Sequence, residues 1–370
     1  MMQSADQKSK WFTRFHIDGP LFVGLLLLAV ISAATVYSAS GQEWAMTQRQ
    51  IVRIGIAFIG MLVIAQIPLG AIERFSLPLF AIGVVLLLGV LLFGESSKGA
   101  QRWLNLGVAT IQPSEIMKLA VPMAIAWFIA EHGIPPTKRR MAAAFILLMV
   151  PTLMIAKQPD LGTSLLIACS GIFVLFLAGI SWRLITFFAV AIGAFIPILW
   201  TFLMHGYQRQ RVLTFLDPER DPLGAGYQII QSKIAIGSGG IEGKGWMQGT
   251  QSQLEFLPER HTDFIFSVFS EEFGLVGVIG LFLVYGFIIF RGMIISMRAQ
   301  RVYQKLLAGS LTLTFFVYVL VNIGMVSGLL PVVGVPLPLI SYGGTSMVTL
   351  LAGFGLLMAI ATNQRLVMHD

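Results

Sequence analysis

Ten unbroken apolar stretches run through this chain, at about residues 20–38, 50–67, 77–94, 114–131, 141–157, 162–180, 183–204, 264–290, 306–329 and 343–362. A membrane-crossing helix needs roughly 20 apolar residues. Within hydrocarbon, every backbone N–H and C=O must find a partner inside the protein, which leaves only helices and closed barrels. The stretches are continuous rather than alternating, which excludes barrel strands. Hydrophobic residues make up 56% of the chain and charged residues 12%, about half the charged share of a soluble domain. The sequence thus predicts an all-α polytopic membrane protein with about ten transmembrane helices. Residues 1–370 form a single integral membrane domain with one large extracytoplasmic loop at about 205–263. A free-standing soluble enzyme is excluded.

The charges orient the chain. With the N-terminus inside, the inner segments hold thirteen Lys and Arg and the short outer segments five. That asymmetry predicts both termini in the cytoplasm and the 205–263 loop outside. Trp44, Trp103, Trp182 and Trp200 fall near predicted span ends, where indole rings suit the interface. Residues 22–36 followed by Ser38-Ala39-Ser40 could pass for a cleaved signal. The run is long and the polar stretch after it short, so a retained first span is expected.

Other totals narrow the function. A single cysteine, Cys169, excludes an internal disulfide and a Cys-based metal cluster. The five histidines are scattered, with no close pair to anchor a metal cage. The net charge of +7 comes from cations lying between apolar runs, which reads as topology rather than nucleic-acid binding.

Charges inside or at the edge of spans are the chemical candidates. The fourth span opens Gln112-Pro113-Ser114-Glu115-Ile116-Met117-Lys118, placing Glu115 and Lys118 three apart on one helical face. They either neutralise each other for packing, or Lys118 meets an anionic ligand with Glu115 orienting it. Arg102 lies in the outer loop just before, as an interfacial anchor or a phosphate clamp. Asp160, in Lys157-Gln158-Pro159-Asp160-Leu161-Gly162, either caps the sixth span or faces a polar cavity. Asp263 stands where the large loop returns to the bilayer, beside Arg260 and His261. It is either a helix cap or a general base for a hydroxyl nucleophile. Glu271 and Glu272 are expected to accept hydrogen bonds or line a crevice.

The large loop also carries Tyr207-Gln208-Arg209-Gln210-Arg211, an amphipathic helix over about 226–236, and the run Gly237-Ser238-Gly239-Gly240-Ile241-Glu242-Gly243-Lys244-Gly245. That run is not a phosphate loop, because Gly245 follows Lys244 where Ser or Thr is required. Residues 332–344 are apolar but studded with Gly and Pro. They are expected to fold in beside the last two spans and wall a cleft open to the outside.

Taken together, Gln-Pro-Ser-Glu at 112–115, Gln-Pro-Asp-Leu-Gly at 158–162, Pro-Glu-Arg-His-Thr-Asp-Phe at 258–264 and Pro-Leu-Pro-Leu-Ile-Ser-Tyr-Gly-Gly at 336–344 resemble the SEDS (shape, elongation, division and sporulation) family. The likeness spans about residues 20–362. Within it, 243–246 and 251–257 look like the elongation branch more than the division branch. The resemblance implies a peptidoglycan glycosyltransferase of the bacterial inner membrane. It would polymerise lipid II into glycan strands beside a class B penicillin-binding protein, a transpeptidase, and other elongation-machinery proteins. Asp263 matches the family's essential aspartate and Glu115 and Lys118 its acid–lysine pair, while Asp160 and Arg211 also match; Arg209 matches less generally.

The chemistry suits those residues. A sugar hydroxyl attacking an anomeric carbon needs a base, and a departing lipid pyrophosphate needs cations or a divalent metal. Asp263 supplies the first, and Lys118, Arg102 and Arg211 are candidates for the second. Mg²⁺ or Mn²⁺ would bind mainly through the substrate pyrophosphate, and no organic cofactor is expected. One base without a nucleophile implies a single inverting displacement. The alternatives are a flippase for the same lipid-linked precursor and a scaffold for a transpeptidase. A flippase needs polar groups along the whole path, and here they crowd at the outer mouth. A scaffold would leave them without a task.

Overall fold

The computed structural model describes residues 16–97, 100–105, 110–180, 186, 190, 193, 201, 206–218, 225–254 and 256–363. Nine of the ten apolar stretches coincide with helices: α1 Gly19–Ala39, α2 Trp44–Ala65, α3 Leu69–Phe93, α4 Pro113–His132, α5 Lys138–Lys157, α6 Leu161–Leu177, then α10 Ile265–Arg298, α11 Val302–Val326 and α12 Thr345–Thr362. Eight are long and apolar enough to cross a membrane by length and composition, and α6 is a shorter apolar helix. The stretch at 183–204, with Trp182 and Trp200, lies outside the described residues apart from isolated positions. The large loop holds α7 Gly206–Leu216, α8 Ala225–Ser238 and α9 Thr250–Gln253. Of these, α8 is the expected amphipathic helix.

The segment between α3 and α4 departs from an all-helical expectation. Residues 95–111 contain β1 Glu95–Ser97, β2 Ala100–Asn105 and β3 Thr110–Ile111 in one antiparallel sheet of order β1-β2-β3. Pairing between strands satisfies peptide groups that a loop would leave to water. Its middle strand carries Arg102, which reaches Asp160 and Pro159 ahead of α6.

Position in the bundle follows residue character. α2 shows a lipid-facing stripe of Ile51, Val52, Ile56, Ile59 and Val63. α4 is instead buried nearly all round, through Met117, Ala120, Val121, Ala124 and Ile125. It packs between α3, α6 and α11, while α12 lies along α2, and α10 along α1 and α11. At one end, Asp18 caps α1 through Leu21 N (3.1 Å) and takes two hydrogen bonds from Arg291 of α10, at 3.0 and 2.6 Å. The first span is thereby tied into the bundle.

α10 is broken at Gly274, where φ is 61° and ψ −163°. A helix would bond Leu275 N to Glu271 O and Val276 N to Glu272 O. Here the glycine-rich run is inserted into that ladder. Lys244 N donates to Glu271 O (3.0 Å) and Gly245 N to Glu272 O (2.9 Å), while Leu275 N donates to Gly240 O (3.0 Å) and Val276 N to Ile241 O (3.1 Å). A methyl on Gly274 would sit 2.3 Å from Gly243 N, so glycine is required for both its φ and its contact. Glu271, fully buried, accepts from Lys244 Nζ (2.7 Å), Thr250 Oγ1 (3.1 Å) and Gln251 N (3.0 Å). Glu272 accepts from Ser38 Oγ. Both glutamates accept hydrogen bonds as expected, and the glycine run grips a helix.

Residues 331–344 link α11 to α12 without forming a helix. Non-helical backbone in such a place must be paired by its surroundings. Asn322 Nδ2 donates to Val335 O (2.7 Å), Tyr285 Oη to Pro338 O (2.7 Å), Ser32 Oγ to Ile340 O (2.9 Å) and Gln50 Nε2 to Ser341 O (3.2 Å). Side chains from four helices therefore hold the segment in place. It lies beside α11 as expected, with α1, α2 and α10 as its other neighbours.

Candidate active site

Asp263 sits in the turn just ahead of α10 and is half-buried. The cap position of α10 is Phe264, with no side-chain cap bond, so the helix-cap reading of Asp263 does not hold. The 331–344 segment runs across it. Gly334 is exposed with φ 72°, and a methyl added there would lie 3.6 Å from Asp263 Oδ2. The carboxylate thus has the Gly334 backbone as one of its neighbours. His261 meets Tyr342 edge to face at 5.9 Å, and the Arg53 guanidinium stacks over the same Tyr342 ring at 4.6 Å.

Glu115 and Lys118 form the expected pair: Nζ donates to Oε1 at 2.7 Å, with both side chains about nine-tenths buried. Pro113 starts α4, leaving Glu115 in its first turn, where the helix dipole favours a carboxylate. The Lys118 ammonium also lies 5.4 Å from the centre of the Tyr318 ring, a cation–π distance. A cavity of about 40 Å³ beside it is lined by Lys118, Thr314, Tyr318 and Thr349 among apolar neighbours. Glu115 Oε2 and Thr314 Oγ1 are buried with no hydrogen-bond partner among the described residues. About two or three waters fit a space of that size.

Asp160 fulfils the cap reading and adds an ion pair. It caps α6 by accepting from Thr163 N (3.2 Å), and its second oxygen faces Arg102 Nε at 3.6 Å. Arg102 Nη2 donates to Pro159 O at 2.8 Å, so the guanidinium is held against the N-terminus of α6. Gln112 Nε2 reaches Asp160 Oδ2 at 3.5 Å, linking this pair to the start of α4. Arg211 falls on α7, and its side chain lies outside what is described. Arg209 Nη2 donates to Thr201 O at 2.9 Å.

Two structural links draw these groups together. Along α11, Tyr318 touches Lys118, and Asn322, one turn on, donates to Asp263 O at 2.9 Å. Across the 331–344 segment, Gly162 beside Asp160 packs so tightly that a methyl there would lie 2.7 Å from Val333 O. The neighbouring Gly334 faces Asp263. Tyr318 and Asn322 were not singled out from sequence. Their signal is two hydrogen-bonding residues four apart in an otherwise apolar run.

This is a multi-pass α-helical membrane protein in which a carboxylate ahead of α10, two acid–cation pairs and an unwound inter-helix segment are linked through α11 and residues 333–335. The cell cycle protein family of FtsW, RodA and SpoVE matches residues 13–366, and the chain belongs to that family. It is 55% identical over 367 residues to the peptidoglycan glycosyltransferase MrdB of Escherichia coli K12, covering 99% of both chains. Among solved structures, a peptidoglycan synthase complex that coordinates polymerization and crosslinking contains a chain 33% identical, with TM-score 0.82, covering 94% of this chain and 98% of that one. The rod shape determining protein RodA of Thermus thermophilus matches with TM-score 0.70 and 27% identity, over 95% and 98% of the two chains. The expected elongation branch is borne out.

Proposed function

We propose that this protein is a peptidoglycan glycosyltransferase of the bacterial inner membrane that polymerises lipid II, with Asp263 as general base. The observation that carries the mechanism is the placement of Asp263, half-buried one residue ahead of the α10 cap position with its carboxylate facing the backbone at Gly334. The acceptor hydroxyl gives its proton to Asp263 as its oxygen attacks the anomeric carbon. The bond from that carbon to the lipid pyrophosphate breaks, and the electron pair leaves with the phosphate oxygen. Arg102, Lys118 and Arg211 serve the pyrophosphate side, Arg102 being oriented by Pro159 and Asp160 and Lys118 by Glu115. A Mg²⁺ or Mn²⁺ ion would be carried mainly by the pyrophosphate. Among the described residues, no group of three or more His, Cys, Asp or Glu is gathered to hold one. The likeness to a chain from a synthase complex supports a class B penicillin-binding protein as partner. The MrdB relative supports the reaction.

Purified protein with its transpeptidase partner is expected to convert lipid II in detergent into glycan polymer. Translocation of labelled lipid II in liposomes without any polymer would instead favour the flippase reading. The proposed orientation has both termini in the cytoplasm. In a Cys169→Ala background, Glu242→Cys should be labelled by a membrane-impermeant thiol reagent in spheroplasts, and Arg298→Cys should be protected until the cells are lysed. Both positions are exposed. The reverse pattern would overturn the topology.

A further inference from the structure

Three consecutive peptide carbonyls lead up to and include the proposed base, and each is held by a different donor. His261 O accepts from Tyr342 N at 2.8 Å. Thr262 O accepts from Ser341 Oγ at 2.7 Å, and Asp263 O accepts from Asn322 Nδ2 at 2.9 Å. Two of these donors are side chains, and each has a second bond into the 331–344 segment. Asn322 Nδ2 also donates to Val335 O at 2.7 Å, and Ser341 Oγ accepts from Leu337 N at 2.8 Å. Asn322 is fully buried and Ser341 nearly so.

Each side chain therefore joins the same two pieces of backbone, the turn carrying Asp263 and the segment carrying Gly334. The Asn322 amide spends both N–H bonds on this bridge, while its Oδ1 is buried with no hydrogen-bond partner among the described residues. An amide at this position supplies two donors fixed in one plane, which sets the separation and the direction of the two carbonyls together. We propose that Asn322 and Ser341 are positioning residues for the glycosyl transfer: together they clamp the backbone of 262–263 to residues 335–341 and so fix where the Asp263 carboxylate stands against Gly334. The proposal rests on Asp263 being the base.

A misplacement of about 1 Å at a reacting group costs on the order of 100-fold in rate. Asn322→Leu is expected to lower kcat for lipid II polymerisation by about 10- to 100-fold while KM changes by less than about threefold. Ser341→Ala should show the same split with a smaller loss. Should Asn322→Leu not fold, Asn322→Ser and Ser341→Ala carry the test, since each keeps a small side chain in the gap. All are compared as purified complexes with the partner, at equal amounts of folded protein judged by thermal melting. The decisive readout is coupling: Asp263→Asn should cost several-fold less in the Ser341→Ala, Asn322→Leu or Asn322→Ser background than in wild type, because the base has already lost its placement. Strictly additive losses, unchanged kcat, or activity falling only in step with the folded fraction would each overturn the clamp. Wild-type activity in Asp263→Asn would overturn the base assignment instead, which separates the two failures.

Discussion

Asp263→Asn is expected to fold, reach the membrane and co-purify with its transpeptidase, yet make almost no glycan polymer. Asparagine keeps the size and the backbone carbonyl that Asn322 holds, but it cannot accept the proton of the attacking hydroxyl. Loss of a general base costs about 10²–10⁴ in rate, or roughly 2.7–5.5 kcal/mol of barrier. Lipid II affinity should change far less, because a base acts mainly in the transition state. Turnover and binding measured on the same purified variant test this. Polymerisation within a few-fold of wild type would remove Asp263 from the chemistry, and a loss of thermal stability in parallel with activity would return it to a structural role.

The second large effect is expected at Lys118. The 2.7 Å contact with Glu115 is nearly sealed from solvent, and removing one partner of a buried pair costs about 3–5 kcal/mol. Lys118→Glu goes further by setting two carboxylates three residues apart, with the Tyr318 ring losing its cation as well. Polymerisation should fall to background, whereas Arg74→Glu, at an exposed position on α3, should stay close to wild type. The exchange Glu115→Lys with Lys118→Glu separates packing from chemistry. It restores opposite charges and should recover much of the thermal stability, but not activity if the ammonium must meet the pyrophosphate from its own position. Full activity in the exchanged protein would leave the pair with a packing role alone.

The spans were legible because a bilayer imposes one rule along the whole length of each helix, and continuous apolar runs obey it without reference to distant residues. The Glu115–Lys118 pair was legible for a similar reason, since three-residue spacing on a helix is a local fact. Asp160 as both cap and partner of Arg102 was only half legible. Its cap bond reaches three residues along the chain, but Arg102 lies 58 positions earlier in sequence. The sheet over 95–111 hid because its strands are too short to show a period. Tyr318 and Asn322 hid because a few neutral polar residues in a span cost little and attract no notice, while their partners come from other helices. Glu271 showed as a buried acid, yet nothing local announced that Lys244, Thr250 and Gln251 would meet it.

The break at Gly274 changes what kind of object α10 is. Two bonds of a continuous helix have been exchanged for four bonds to residues 240–245, and were the loop to lift away, the helix could close its own ladder while water took up the loop. Neither arrangement strands a peptide group in hydrocarbon, so backbone pairing alone does not choose between them. The choice falls to the Glu271 network and to the tight glycine contacts. The first turns of α10, adjoining Asp263, are consequently aimed by residues 240–245, and the rest of the helix is aimed by the helices packed along it. In mechanical terms α10 is an articulated lever with its joint at Gly274, and the loop's hold on that joint sets the angle at which Asp263, the base we propose, is presented.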